Sequence, residues 1–319
     1  MPISVLRLLS AEEFRSGEAI ARQLSVTRAS VNNAVQEAQR LGVDIHAVRG
    51  RGYRLAERYD WLDAARLHAA QTSPDFIFQV HERLDSTNTH LLAQAQQGAA
   101  HKSVVAAEMQ SSGRGRRGRT WHAQLGRSLT FSVLWRFQRP LTALSGLSLV
   151  VGLVLARCMQ DLGAEAVRLK WPNDVLLGEG KLAGILIETQ GDVLSGASAV
   201  IGIGLNLAAG PDLVRQAGVP VASLNDVVAR LPERNSLLLV ILKMLDAALS
   251  RFDAEGFAPF AQDWMRLHAY QHRQVAIYGA QGRMHQGRAL GVDPTGALLL
   301  ETADGVAVIH SGEVSLRPC

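Results

Sequence analysis

The chain has 319 residues, 47% hydrophobic and 19% charged, with a net charge of +4. That balance excludes a disordered or collagen-like polymer, and the length leaves room for two or three domains with self-sufficient cores. Two cysteines, Cys158 and Cys319, supply neither a disulfide framework nor a zinc cage, so a reducing cytoplasm is expected. The opening MPISVLRLLSAEEF is too short an apolar stretch for a secretory leader. The most apolar run, 141–162, is broken by Ser145, Ser148, Arg157 and Gln160. A bilayer span needs about 20 clean apolar residues, so the run reads as a buried helix and no membrane association is expected.

The charge is unevenly spread. Residues 1–58 carry nine arginines against six acids, leaving +1 for the other 261 residues. A basic module on a nearly neutral body raises the question of nucleic acid. A short apolar helix is predicted over 3–9. A second begins at Ser16–Gly17, with Ser16 as cap and Ile20 and Leu24 at i, i+4 spacing. After a tight turn, with Thr27 or Ser25 as cap, a third helix runs over 28–41. Val31, Val35 and Ala38 face inward on it, and Gly42 stops it. Residues 43–48 then alternate as a strand, Arg49-Gly50-Arg51-Gly52 turns, and Tyr53-Arg54-Leu55 returns. Two short helices and an arginine-tipped hairpin describe a winged helix-turn-helix, whose third helix enters the major groove. Arg28, Ser30, Asn32, Asn33 and Gln36 on that helix, with Arg49 and Arg51 on the wing, are the candidate DNA contacts. Amides suit adenine edges, and guanidinium groups suit guanine or phosphate. The same module could instead serve protein contacts.

After a link near 58–65 the pattern becomes mixed helix and strand. A strand over 76–80 leads to Asp85-Ser86-Thr87-Asn88-Thr89 and a helix to Gln97, with Ser86 or Thr87 as cap. Residues 103–107 form another strand, leading to Gln110 and then GRGRRGR over 113–119. That stretch matches a dinucleotide fingerprint in letters only. No helix starts there, a strand follows over 129–137, and no acid stands at 130–140. So many arginines interleaved with glycine cannot pack in a core. They are expected to hold no single shape until they fold around an anion, with phosphate the natural guess. Further on, Arg168-Leu169-Lys170-Trp171-Pro172-Asn173-Asp174 is a strand ending in a turn, with Trp171 expected in the core. Residues 175–177 and 182–188 flank a hairpin turn that aims Lys181. The strand AVIGIGLNL over 199–207 uses Gly202 and Gly204 for close approach, and its Asn206 needs polar partners.

Together these pieces resemble the bifunctional biotin–protein ligases that double as biotin operon repressors in bacteria. The resemblance spans nearly the whole chain. It rests on Ser86-Thr87-Asn88, on Gln110 with GRGRRGR and Trp121, on KWPND (170–174), on KLAGILIE (181–188) and on GIGLN (202–206). It implies an α+β protein: a winged helix over 1–63, a mixed-sheet catalytic domain of the class II synthetase-like biotin/lipoate ligase type over 64–270, and an SH3-like β-barrel over 271–319. It implies ATP and Mg2+ as cofactors, with biotin as substrate and co-repressor. The implied partners are the biotin carboxyl carrier protein of acetyl-CoA carboxylase, operator DNA and a second copy in a ligand-promoted homodimer.

By the same resemblance Lys181 and Arg116 are catalytic. Ser86, Thr87, Asn88, Gln110, Gly113, Arg114, Gly115, Arg116, Lys181, Gly184 and Gly202 hold biotin. Arg114, Arg117, Arg119, Trp121, Asn173, Lys181 and Asn206 hold the adenylate. Residues 208–222 read as a second loop over the adenine side, without the aromatic that relatives often carry near Val221. Long amphipathic helices are expected over 235–252 and 257–267, then alternating strands with turns at 279–282, 293–296 and 303–305, closed by 311–317. Three other readings remain: a ligase whose winged helix no longer represses, a lipoate or octanoate ligase sharing the catalytic fold, and a ligand-sensing regulator with a degenerate enzyme domain, against which the intact Lys181 and GRGRRGR speak.

Overall fold

The computed structural model describes residues 2–72, 75–191, 196–279, 282–311 and 314–318. Its N-terminal module contains α1 (Pro2–Leu8), α2 (Gly17–Gln23) and α3 (Arg28–Arg40), then a hairpin of β1 (Ile45–Val48) and β2 (Gly52–Leu55). Ser16 caps α2 by accepting from the Glu18 N–H, and Thr27 caps α3 by accepting from the Ser30 N–H. Val31, Ala34, Val35 and Ala38 of α3 share one core with Ile3, Val5 and Leu6 of α1 and Ile20 of α2. Arg28, Asn32, Asn33 and Gln36 are left exposed, with Ser30 half-buried. The wing is less free than its sequence suggests. Arg51 and Arg54 lie over the Phe14 ring, at 4.6 and 5.2 Å from its centroid, while Arg49 is exposed at the tip.

The connection to the next domain is not a loose tether. Tyr59 and Trp61 stack with centroids 5.6 Å apart, and Arg7 covers Trp61. A buried ion pair anchors the segment: Arg234 Nη2 lies 2.6 Å from Glu108 Oε2, with side chains only 3% and 0% exposed. Arg234 also donates to Asp60 through N and Nε and to Ser128 O through Nη1, while Glu108 Oε1 accepts from the Leu62 N–H. Charges this deep persist because every polar atom of the pair finds a partner.

Helix α4 (Ala64–Ala70), capped by Asp63, leads into a seven-stranded mixed sheet. Its elements in chain order are β3 (Ile77–Leu84), α5 (Thr87–Gln96), β4 (Ser103–Gln110), β5 (Ser128–Arg136), α6 (Leu147–Asp161), β6 (Val167–Lys170), β7 (Asp174–Leu177), β8 (Gly180–Gly191), β9 (Ala197–Asn206), α7 (Pro211–Gln216), α8 (Arg234–Glu255) and α9 (Ala261–Leu267). The strand order is β3-β4-β5-β9-β8-β7-β6, with β3 and β4 parallel and the other neighbours antiparallel. The long apolar run is α6, whose Val150, Val151, Leu153 and Leu155 join Leu238, Ile241, Leu245 and Leu249 of α8 in the main core. A second cluster joins Leu91 of α5 to Val105, Leu134 and Val200. Trp171 is fully buried, as expected, and its Nε1 donates to Gly296 O at 3.1 Å. Residues 208–222, expected as irregular loop, contain α7, which starts at Pro211, where a missing N–H costs nothing.

Strands β10 (Gln274–Gly279), β11 (Gly282–Val292), β12 (Leu298–Thr302), β13 (Gly305–Ile309) and β14 (Ser315–Pro318) form a separate antiparallel sheet of order β13-β12-β11-β10-β14. Ala280 and Gln281 of the first expected turn, Gly312 and Glu313 of the closing segment, and Cys319 lie outside the described residues.

Candidate active site

Three neighbouring strands build a floor of small residues. Register aligns Ser132, Gly202 and Leu186 in one row, Thr130, Gly204 and Gly184 in the next, and Ser128 with Asn206 in a third. Alternate residues of a strand share a face, so the spacing of GIGLN puts Gly202, Gly204 and Asn206 on one side. The bare floor is needed. A Cβ on Gly204 would lie 2.2 Å from Trp121 Cε2, and one on Gly202 would lie 2.1 Å from Asn88 Oδ1.

Strict alternation would turn Lys181 away from Gly184 and Leu186. Between β7 and β8 the pairing skips from Val175↔Ala183 to Leu176↔Lys181, leaving Leu182 as an extra residue. The bulge re-aims Lys181 toward the glycine floor. Its Nζ lies 2.6 Å from Asp174 Oδ1 and 5.7 Å from the centre of the Trp121 ring.

The N-terminus of α5 forms the far wall. Ser86 caps this helix, and the Thr87 N–H donates to Gln110 Oε1 at 2.7 Å. The Ser132 hydroxyl donates to Asn88 Oδ1 at 2.6 Å and meets the Thr87 hydroxyl at 2.8 Å. Asn88 Nδ2 donates to Leu186 O and to Glu188 Oε2, at 3.1 and 3.0 Å. Glu188 in turn receives both terminal nitrogens of Arg114, at 2.8 and 3.2 Å, a bidentate pair that fixes the guanidinium plane. Ser132 and Glu188 are site residues that sequence reasoning misses. The only signal for Glu188 was its place at the end of KLAGILIE, at the same alternation as Gly184 and Leu186.

Two cavities meet here. The inner one, of about 50 Å³, is lined by Ser86, Thr87, Asn88, Gln110, Arg114, Gly115, Arg116, Trp121, Asn173, Lys181, Gly184 and Gly202, among others. The outer cleft, of about 860 Å³, carries Arg117, Arg119, Lys170, Lys181, Asn206 and Arg317, and among the described residues that line it Asp174 is the one acid. Gly115, Arg116, Trp121, Asn173 and Lys181 border both. Burial holds the Lys170 ammonium below the usual lysine range; Asp174 pulls the other way, and nearby Lys181, Arg119 and Arg317 push further down. Such crowded cations favour a polyanion. Trp121 Nε1, Thr130 Oγ1 and Asn206 Oδ1 are buried at this site without hydrogen-bond partners, so polar atoms are left over for a ligand.

Some expectations need correcting. The arginine loop finds protein acceptors. Arg116 donates to Ser311 O and, at 3.5 Å, to Asn173 Oδ1; Arg117 donates to Tyr278 O and Gly279 O of the C-terminal sheet, at 3.4 and 2.9 Å. Backbone carbonyls and the Glu188 carboxylate thus serve Arg114, Arg116 and Arg117, which the sequence pattern assigns to an anion. Gly113 does not line the inner pocket. Its carbonyl accepts from the Trp121 N–H at 2.8 Å, and a Cβ there would lie 2.3 Å from Trp121 O, so it closes the neck of the loop. Asn206 donates to Lys181 O and Ala222 O, steadying the strand that carries the lysine. No group of three or more metal-ligating side chains occurs among the described residues.

Residues 80–206 match the biotin/lipoate A/B protein ligase family, residues 3–54 a helix-turn-helix domain and residues 273–317 the biotin protein ligase C-terminal domain. The bifunctional ligase/repressor BirA of Salmonella typhimurium is 37% identical over 99% of this chain and 98% of its own length. The chain belongs to the BirA family of bifunctional ligase/repressors. It therefore joins a helix-turn-helix domain to a biotin ligase domain in one polypeptide. The biotin–[acetyl-CoA-carboxylase] ligase of Paracoccus denitrificans is 34% identical over 73% of this chain but 97% of its own length. Among solved structures, the biotin protein ligase from Aquifex aeolicus in complex with biotin and ATP superposes with a TM-score of 0.64 at 28% identity, covering 76% of this chain and 99% of its own. This BirA-family chain is thus longer than those two ligases.

Proposed function

We propose that the protein activates biotin with ATP and transfers it to a lysine of the biotin carboxyl carrier protein of acetyl-CoA carboxylase, and that biotinyl-adenylate makes it a repressor of biotin genes. The observation that carries this reading is the position of Lys181, the one ammonium among the described residues that borders both the inner pocket and the outer cleft. A biotin head seated by Ser86, Thr87 and Gln110, with Asn88, Gly184 and Gly202 shaping its floor, would direct its carboxylate to that border. ATP would lie in the outer cleft, with Arg117, Arg119, Asn173 and Asn206 as its neighbours. The carboxylate oxygen attacks the α-phosphorus, the bond to pyrophosphate breaks, and biotinyl-5'-AMP forms. Two anions must approach for this, and Lys181 offsets the charge that grows on the phosphoryl oxygens. Mg2+ carried on the ATP phosphates would shield their charge. A carrier lysine then attacks the mixed anhydride and AMP leaves. Arg114 and Arg116, with Gly115 and Trp121, cover the anhydride and keep water from it.

The proposed domain limits are 1–63, 64–270 and 271–319. They are supported by Asp63 capping α4 and by the separate C-terminal sheet. A cytoplasmic location suits a partner carboxylase and an operator. The exposed Arg28, Asn32, Asn33, Gln36 and Arg49 support an operator-reading face, with Ser30 and Arg51 at its margin.

Biotin-dependent pyrophosphate release from MgATP tests the ligase reading; release with octanoate or lipoate but not biotin would turn it to the lipoate branch of the family. The Gly202→Ala protein should bind biotin at least about tenfold more weakly, a loss of roughly 1.4 kcal/mol. The new Cβ drives Asn88 off Ser132, Leu186 and Glu188, and titration calorimetry reads the loss. Biotin with MgATP should also convert monomer to dimer in sedimentation velocity; an unchanged monomer at high micromolar protein would remove the dimeric co-repressor.

A further inference from the structure

One turn of the catalytic domain belongs to two parts of the molecule at once. Residues 124–128 turn tightly before β5, with the Arg127 and Ser128 N–H groups donating to Gln124 O at 3.1 Å. Leu125 is 6% exposed and lies in the core of the N-terminal module, beside Tyr59, and not in the ligase core. Gly126, at φ +70°, presses so closely on Tyr59 that a Cβ would come within 2.2 Å of Cδ1. Arg127 pairs with Glu57 of the connecting segment.

The same turn holds the segments that flank the ligand site. Leu207 and Ala208 donate to Arg127 O at 3.0 Å, and Gly210 donates to Gln124 Oε1 at 2.7 Å. On its other side, only His122 and Ala123 separate it from Trp121, whose indole rests on Gly204 and whose Nε1 is buried without an acceptor. The base of the turn is fixed, because Ser128 O accepts from the buried Arg234.

We propose that residues 124–127 are the joint through which occupancy of the ligand site reaches the DNA-binding module. This rests on the reading of the site as one for biotinyl-adenylate. Trp121 borders both the inner pocket and the outer cleft, so a ligand lying across the two meets its indole. Its buried Nε1, left without an acceptor, gives such a ligand a group to engage, and the indole moves as it does so. Four residues on, Leu125 is packed among buried side chains that have discrete arrangements and little compressibility, so a shift there repacks Leu125 and Tyr59 instead of dying out. The segment at 207–210 pulls on the same turn, so both sides of the ligand site act on one element.

Hydrogen exchange on the full chain, with and without biotin plus MgATP, tests the joint in wild type, Leu125→Ala and Arg127→Ala. In wild type the ligands should change exchange at residues 113–122 and, by about fivefold or more, in α2 and α3, the lower end of ordinary coupling between sites. Both variants should keep the change at 113–122 and biotin-dependent pyrophosphate release but lose the response in α2 and α3. A response in α2 and α3 that survives both substitutions overturns the joint, as does a wild type that responds at 113–122 alone. If neither region responds and no pyrophosphate forms, the biotin reading fails and the joint fails with it. Arg127→Ala carries the decision if Leu125→Ala does not fold.

Discussion

Lys181→Ala lowers the rate of biotinyl-adenylate formation by about two to three orders of magnitude, the usual cost of removing one preorganised donor from a developing oxyanion. The loss exceeds that of a surface charge for a structural reason. Lys181 is 26% exposed at its side chain, pairs with Asp174 and borders both cavities. Without the ammonium, Asp174 loses its ion-pair partner beside the position proposed for the phosphates. The fold should survive, because the Lys181 backbone keeps its bonds to Pro220 O and the Ala222 N–H. Pyrophosphate release in the pre-steady state reads the chemistry, and a urea titration reads the fold. A variant that retains a tenth of the wild-type rate would remove Lys181 from the role given to it.

Arg234→Leu costs about 3–5 kcal/mol, because it strands Glu108 as a buried charge. Glu108 is fully buried, and what remains to it is the Leu62 N–H and a long 4.0 Å contact with the half-buried Arg7 guanidinium. Arg234→Leu combined with Glu108→Leu should recover part of that loss, since the apolar pair leaves no uncompensated charge, although the Leu62 N–H and Ser128 O lose partners. The ligase-domain transition in urea, followed by tryptophan fluorescence, gives the difference. A shift below about 1 kcal/mol, the size of an exposed pair, would mean that water reaches Glu108. The single variant should also loosen the connecting segment, because Arg234 holds Asp60 as well.

Local features of this chain were readable from sequence because their causes are local. Ser16 and Thr27 cap the helices they precede, and the alternation of GIGLN places Gly202, Gly204 and Asn206 on one face of β9. What sequence did not disclose depends on residues far apart. Lys181 reaches the pocket only because Leu182 is an extra residue in its pairing, and nothing in KLAG announces a bulge. Glu108 and Arg234 stand 126 positions apart, with no periodicity to link them. The arginine loop looked like a segment waiting for an anion because its partners, Glu188 and the carbonyls of Tyr278 and Gly279, come from other strands. Leu125 gave no hint that it would leave its own domain's core for another.

The central claim is most directly tested by incubating the purified chain with biotin, MgATP and a biotin carboxyl carrier domain, then weighing the carrier intact by mass spectrometry. The account predicts a mass increase of one biotin, confined to the carrier lysine and absent with Lys181→Ala. A carrier that keeps its mass with biotin, octanoate and lipoate alike would contradict the ligase assignment and leave a ligand-sensing regulator in its place.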